Sequence, residues 1–234
     1  MLTEDEIEQY HREGYLLRRK LIDTETIAEI RAIAETTRST DGGSWTPRIF
    51  DYESPTKDAD LHRLLIDSRV VEAATQLFGA PALIYYGMLA IVPARSGTGL
   101  PWHQDNMYSH IYGGALNIFV ALSTITPEAA NLWIAPGSHK LGTQPSKANE
   151  TTAKGHREAL VEPENGFCLP TLQPGDACLF TRDTLHRSLT NTTDTPRYAY
   201  AAQFCTAHAR YTEDGKRPFR ALDPQALQSG HMKK

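Results

Sequence analysis

Trp102-His103-Gln104-Asp105 decides how this chain is read, together with Leu185-His186-Arg187-Ser188 far downstream. His103 and Asp105 lie two positions apart, so on an extended strand both side chains leave from one face. An imidazole and a carboxylate aimed at one point, joined by a distant third ligand, can hold a transition metal and leave half its coordination sphere open. A bare His-x-Asp pair is common and is usually a surface hydrogen bond. The surrounding sequence therefore has to carry the assignment.

The chain has 234 residues, 40% of them hydrophobic and 22% charged, the profile of an ordinary globular protein. Nothing in that length forces a split, and one domain over 1–234 is expected. The net charge of −4 and pI near 6.1 imply no general affinity for nucleic acid. The acidic start, Met1-Leu2-Thr3-Glu4-Asp5, lacks the basic-then-apolar order of a secretory signal, and no apolar run is long enough to span a bilayer. Cys168, Cys178 and Cys205 each sit in an apolar segment. An odd count without framework spacing predicts reduced thiols, a cytoplasmic location and no Cys-based zinc site.

Thr3-Glu4-Asp5-Glu6 reads as a capping box opening a helix that Gly14 ends, with a strand at Tyr15-Leu16-Leu17. Asp23 or Thr24 caps a second helix with Ile27, Ile30 and Ala34 at helical spacing, closed by Gly42-Gly43-Ser44. Residues 44–58 read as a loop. Helices are expected at 60–66 and 68–78, the latter with Val70, Val71, Ala74 and Leu77 on one stripe. From Pro81 the pattern turns strand-like, at 82–92, 115–125, 131–134, 166–169, 176–181, 186–189 and 197–205, with turn residues between. The polar stretch 140–163 reads as a mobile loop or short helix, and the tail after Phe219 as frayed. Helices first and short strands after predict an α+β, mainly β chain. It would be a double-sheet antiparallel barrel with an N-terminal helical layer over 1–80, a core over 81–206 and a polar tail over 207–234.

His186, placed on one of the short strands, would complete a face of two histidines and one carboxylate with His103 and Asp105. That set suits non-haem Fe(II), with three positions free for a bidentate oxo-acid and dioxygen. Ser188 leaves the same face of its strand as His186. Arg197 opens the next strand, where a guanidinium can grip a carboxylate with two parallel bonds. These are the physical needs of an Fe(II)- and 2-oxoglutarate-dependent oxygenase.

The chain resembles the phytanoyl-CoA dioxygenase family of 2-oxoglutarate-dependent oxygenases. The resemblance rests on Trp102-His103-Gln104-Asp105, Leu132-Trp133-Ile134-Ala135-Pro136-Gly137-Ser138-His139-Lys140, Pro174-Gly175-Asp176, and His186-x-Ser188 continuing to Arg197. It implies a double-stranded β-helix (jelly-roll, cupin-like) core. It also implies iron on His103, Asp105 and His186, with Arg197 and Ser188 on the far carboxylate of 2-oxoglutarate. The family often has Asn-Gly where this chain has Ala130-Asn131. Some members also use a Lys or Gln for the cosubstrate on the strand that here offers Tyr85, Tyr86 and Met88. Related halogenases lack the carboxylate ligand, so Asp105 favours hydroxylation of an unactivated C–H, with release of succinate and CO₂.

Four weaker assignments complete the site. Asn117 and Phe119 share one face of the central strand and point either to the cosubstrate pocket or into core. Asn106 and Tyr108 directly follow the ligands and would line the substrate mouth or rim its loop. Trp133 packs in the core or touches substrate. His139 is expected to brace its turn. Other oxidative outcomes such as desaturation or ring formation, a macromolecular substrate, and a non-catalytic cupin-like binding protein remain as alternatives. The favoured partner is a small-molecule substrate, with no nucleic acid and no membrane. Its identity and the oligomeric state are not written in the sequence.

Overall fold

Thr3 starts the first helix, α1 (Glu4–Glu13), by a reciprocal cap. Its hydroxyl accepts from the Glu6 amide at 3.2 Å, and the Glu6 carboxylate accepts from the Thr3 amide at 2.8 Å. Gly14, left-handed at φ 80, ends the helix and turns the chain straight into β1 (Tyr15–Arg18). The computed structural model describes residues 1–36, 46–51, 54, 57–96, 99–150, 156–218 and 221–228. The expected break at Gly42-Gly43-Ser44 lies outside them.

In α2 (Thr24–Thr36) the stripe Ile27, Ile30 and Ala34 is buried, and Asp23 accepts the Thr26 amide at 2.7 Å ahead of it. The remaining elements are β2 (Thr46–Ile49), α3 (Ser68–Phe78), β3 (Ala82–Val92), β4 (Leu100–His103), β5 (Ile111–Tyr112), β6 (Ala115–Ala121), β7 (Leu132–Ile134), β8 (Ser146–Ala148) and β9 (Arg157–Ala159), then β10 (Phe167–Cys168), β11 (Ala177–Thr181), β12 (His186–Ser188), β13 (Arg197–Thr206), β14 (Arg210–Tyr211) and α4 (Pro224–Gln228). Six strands form a large sheet in the order β1-β11-β6-β13-β3-β2, and four form a smaller one, β10-β7-β12-β4.

Alternation divides the large sheet into two faces. One carries Leu16, Leu89, Ile118, Val120, Leu179, Tyr200 and Phe204 into a core shared with the buried residues of the three N-terminal helices. The other carries Phe119, Ala121, Cys178, Phe180 and Ala199 into a second core, closed by Leu132 and Ile134 of the small sheet. Two antiparallel sheets packed face to face, with helices over the outer face, make the jelly-roll core and helical layer that the sequence predicts. Among the described residues no helix is long and apolar enough to cross a membrane.

Four segments differ from expectation. Part of the expected loop 44–58 is β2, which extends the large sheet by pairing with β3. The segment 60–66 is a run of turns with one 3-10 turn at Arg63–Leu65, because Asp67 takes an extended conformation to cap α3 and cuts any helix short. Within 140–163 the chain makes the β8–β9 ladder. After Phe219, Leu222 pairs with Ile84 through two backbone hydrogen bonds of 2.7 and 2.9 Å, and α4 follows. That part of the tail is docked rather than frayed.

Candidate metal centre

β4 is the edge of the small sheet and β12 is its neighbour, and His103 and His186 are direct partners across the ladder. Their ring centroids lie 4.1 Å apart, both rings buried. The Nδ1 of His103 meets the Pro101 carbonyl at 2.7 Å, and that of His186 meets the Thr184 carbonyl at 3.0 Å. A carbonyl only accepts, so each Nδ1 carries the proton and each Nε2 keeps a lone pair for a metal. Burial, and then the neighbouring His186, hold His103 well below the ordinary imidazole value, which keeps it neutral at neutral pH. Asp105 follows on a 3-10 turn, Asp105–Met107. One ligand atom from each of His103, Asp105 and His186 lies within 4.8 Å of the others. The donor set, two neutral imidazoles and a carboxylate with both outer ring nitrogens anchored, fits non-haem iron.

The large sheet supplies the opposing wall. Arg197, Ala199, Ala201 and Gln203 alternate onto the face that also carries Asn117, Phe119 and Ala121. Arg197 is only 5% exposed, and its Nη1 donates to the Ala130 carbonyl at 3.0 Å. Its Nε is buried without a hydrogen-bond partner, and no carboxylate lies within ion-pair distance among the described residues. Burial lowers its pKa to about 10, so it stays a cation. A buried cation with no counter-charge is costly and marks a place for an anion. A carboxylate matches its forked donors. The methyl side chains of Ala199 and Ala201 leave room on this face between Arg197 and the level of Gln203. The acceptor carbonyl belongs to Ala130, which is left-handed at φ 56 in the turn where the family often has Asn-Gly.

The expected site residues separate into groups. Ser188 is buried on the face that carries His186. Phe119 lies under the Arg197 guanidinium, with 5.5 Å from carbon to ring centroid. Asn117 points its amide at Asp105 Oδ2, 3.4 Å away. Tyr108 stands at the rim, 43% exposed and edge-on to His103 at 6.0 Å, with its hydroxyl accepting the Arg157 amide at 3.1 Å. Asn106 is instead buried: its Oδ1 accepts from Arg182 Nε at 3.0 Å and from the Ile111 amide at 3.2 Å, so it anchors the loop and does not line the mouth. Trp133 is not brought to the site either. Period-two alternation with Leu132 and Ile134 turns it to the outer face of the small sheet, where Arg187 stacks on it at 4.4 Å and on Trp102 at 4.7 Å. His139 contacts the His11 carbonyl at 3.2 Å through Nε2, tying the Pro136-Gly137 turn to α1.

Three residues near the ligands were not singled out from the sequence. Gln203 Nε2 lies 3.4 Å from Asp105 Oδ2, and buried Arg182 donates to the Asp105 carbonyl at 2.8 Å. Tyr86 pairs with Gln203 across β3 and β13, and burial followed by the Asp105 charge raises its phenol to about 12. Alternation from Arg197 reaches Gln203 in three steps, and a lone amide on a face of alanines is the signal that could have found it.

The sequence profile of the phytanoyl-CoA dioxygenase family matches residues 10–199. The chain is similar to an ectoine dioxygenase of Bordetella parapertussis, 25% identical over 226 residues that cover 84% of this chain and 73% of that relative. It is also similar to a methylphosphonate hydroxylase of Gimesia maris, 23% identical over 95% of this chain and 90% of that relative. Among solved structures it resembles EvdO2 of Micromonospora carbonacea var. aurantiaca complexed with 2-oxoglutarate. There the TM-score is 0.77 and the identity 22%, over 95% of this chain and 98% of that one, a likeness of fold.

Proposed function

The chain belongs to the phytanoyl-CoA dioxygenase family and is an iron- and 2-oxoglutarate-dependent dioxygenase, and on that premise we propose which residues do the work and on what. His103, Asp105 and His186 hold the Fe(II). Arg197, with Ser188, takes the far carboxylate of 2-oxoglutarate, and Phe119 walls the same pocket. Tyr108 lines the rim where substrate enters. The observation that carries this reading is the cluster itself, with both histidine Nδ1 atoms spent on carbonyls and the ligand atoms converging within 4.8 Å.

The substrate is a small metabolite with an unactivated C–H. The ectoine and methylphosphonate named for the relatives support a small polar molecule. Bound iron supplies the oxidation: one atom of dioxygen enters the substrate as hydroxyl, and the other enters succinate as 2-oxoglutarate loses CO₂. The chain supplies position and dryness. Arg197 fixes the far end of the oxo-acid, so its oxo-carboxylate end meets the metal in one orientation. The free cysteines support a reducing, cytoplasmic setting, and the core shared between helices and large sheet supports a single domain over 1–234.

Aerobic incubation with Fe(II) and 2-oxoglutarate should release succinate, and His103→Ala and Asp105→Ala should abolish it. Full succinate release by those variants would remove the ligand assignment.

A further inference from the structure

We propose that Gln203, oriented by Arg182, is a positioning residue that keeps Asp105 bound to the metal through one oxygen only. The inference rests on the site reading above.

Arg182 is 4% exposed and sits just past β11. Its Nη1 donates to Gln203 Oε1 at 2.5 Å, its Nε to Asn106 Oδ1 at 3.0 Å, and its Nη2 to the backbone carbonyls of Asp105 at 2.8 Å and Ser109 at 3.1 Å. Every one of these acceptors is neutral. A guanidinium has no acceptor, so it selects the oxygen end of the Gln203 amide. The nitrogen end is thereby turned to Asp105 Oδ2, 3.4 Å away. Asn117, directly opposite Gln203 in the β6–β13 ladder, donates to the same oxygen at 3.4 Å. Each contact is long and weak alone, but both fall on Oδ2. Among the described residues no side chain donates to Oδ1, and that oxygen is left for the metal.

The consequence is a coordination count. A facial set of three ligands leaves three positions, two for an oxo-acid chelate and one for dioxygen. A carboxylate that swung to bind through both oxygens would take one of them. Two amides on Oδ2 hold it back, and the fork of Arg182 holds both the loop backbone and the amide that does so. Hydrogen-bonded partners of this kind typically change metal affinity or activity by roughly ten- to a hundred-fold.

The test is Gln203→Leu, close in volume, read anaerobically. The affinity of the Fe(II)-loaded protein for 2-oxoglutarate should fall by roughly ten-fold or more, because a second Asp105 oxygen takes a position the oxo-acid needs. The visible charge-transfer band of the Fe(II)–2-oxoglutarate chelate should shift or weaken, while the metal-free protein still unfolds cooperatively, with a melting temperature lowered only by what the unpaired Arg182 Nη1 costs. Arg182→Lys keeps the charge but loses the fork, and should move the band in the same direction by less. Wild-type affinity and band in Gln203→Leu would overturn the proposal. So would an affinity loss that appears only with a collapse of metal-free stability in both variants. Absence of the band from the wild-type protein would instead strike the cosubstrate reading beneath it.

Discussion

Arg197 carries a charge into a wall of the protein that offers it one carbonyl and an aromatic face. Its replacement separates binding from folding. Arg197→Leu should raise the KM for 2-oxoglutarate by at least about 30-fold, the equivalent of roughly 2 kcal/mol for losing a buried charge-assisted contact. Its metal-free melting temperature should not fall, because an apolar side chain replaces an uncompensated buried cation. Steady-state kinetics and a melting curve check both halves, and an unchanged KM sinks the assignment. β4 ends at His103, so Asp105 reaches the same point from a 3-10 turn and not from the shared strand face that the spacing predicts. The cluster of His103, Asp105 and His186 was nonetheless legible in the sequence, because only a few residue types offer a metal the required donors. Arg182 and Gln203 were not. Their role is to touch each other and a third residue across three segments, and no spacing encodes that. For Trp133 the core alternative holds and the substrate contact does not: it packs against the cluster of Trp102, Ala135, Ala159 and Leu185.

At the level of elements, the Pro174-Gly175-Asp176 turn shows how a short motif holds a strand. Gly175 is left-handed at φ 90, and a Cβ there would collide with the Ile22 carbonyl oxygen. Asp176 accepts from the Lys20 amide at 2.9 Å, the Gln173 amide at 2.8 Å and Arg19 Nη1 at 2.6 Å, locking β1 to β11. Gly175→Ala should therefore destabilise the protein by about 2 kcal/mol or more, read from denaturant unfolding. A second case lies under β2. His62 is buried beside Phe50 with Nδ1 2.7 Å from the Tyr200 hydroxyl, and burial lowers its pKa to about 4, with Asp58 pulling the other way and Arg48 assisting. The unfolded chain takes up its proton near pH 6.5, so stability falls between about pH 6.5 and pH 4 and levels below. The integrated effect is about 3 kcal/mol. His62→Gln should flatten that part of the stability curve, and an identical pH dependence in both proteins would remove His62 as its source. The strands of the large sheet were legible from their apolar runs. β2 and the β8–β9 ladder were not, because Thr46-Pro47-Arg48-Ile49 and Ser146-Lys147-Ala148 carry no alternation of apolar residues. Edge and two-stranded pairings are held by backbone and local side-chain contacts instead, such as Arg157 with Ser146 at 2.8 Å.

For the whole molecule, the site stores unfavourable charge until it is filled, so filling it should be visible in global stability. Fe(II) with 2-oxoglutarate at about a hundred times its dissociation constant adds about 2.7 kcal/mol, a rise of roughly 5–10 °C in melting temperature for a chain of this size. Chelation of the metal should reverse it, and no rise at saturating concentrations contradicts the proposed site. The layered architecture was legible in the sequence because helical and strand periods occupy separate halves of the chain. The pairing of β4 with β12 was not, since His103 and His186 lie far apart in the chain and no local pattern links them. Only the folded ladder brings the two rings face to face. That ladder acts as a parity check on assembly. Because strand side chains alternate, a slip of β4 by one residue against β12 turns Trp102 inward and sends the neighbouring imidazole out to the Trp–Arg stack. On the proposed ligand set, a slipped chain would present one histidine where two are needed and would lose an iron ligand. On that same proposed set, metal uptake would then inspect the finished fold, arming with a redox-active ion the chains that pair β4 with β12 in the native register.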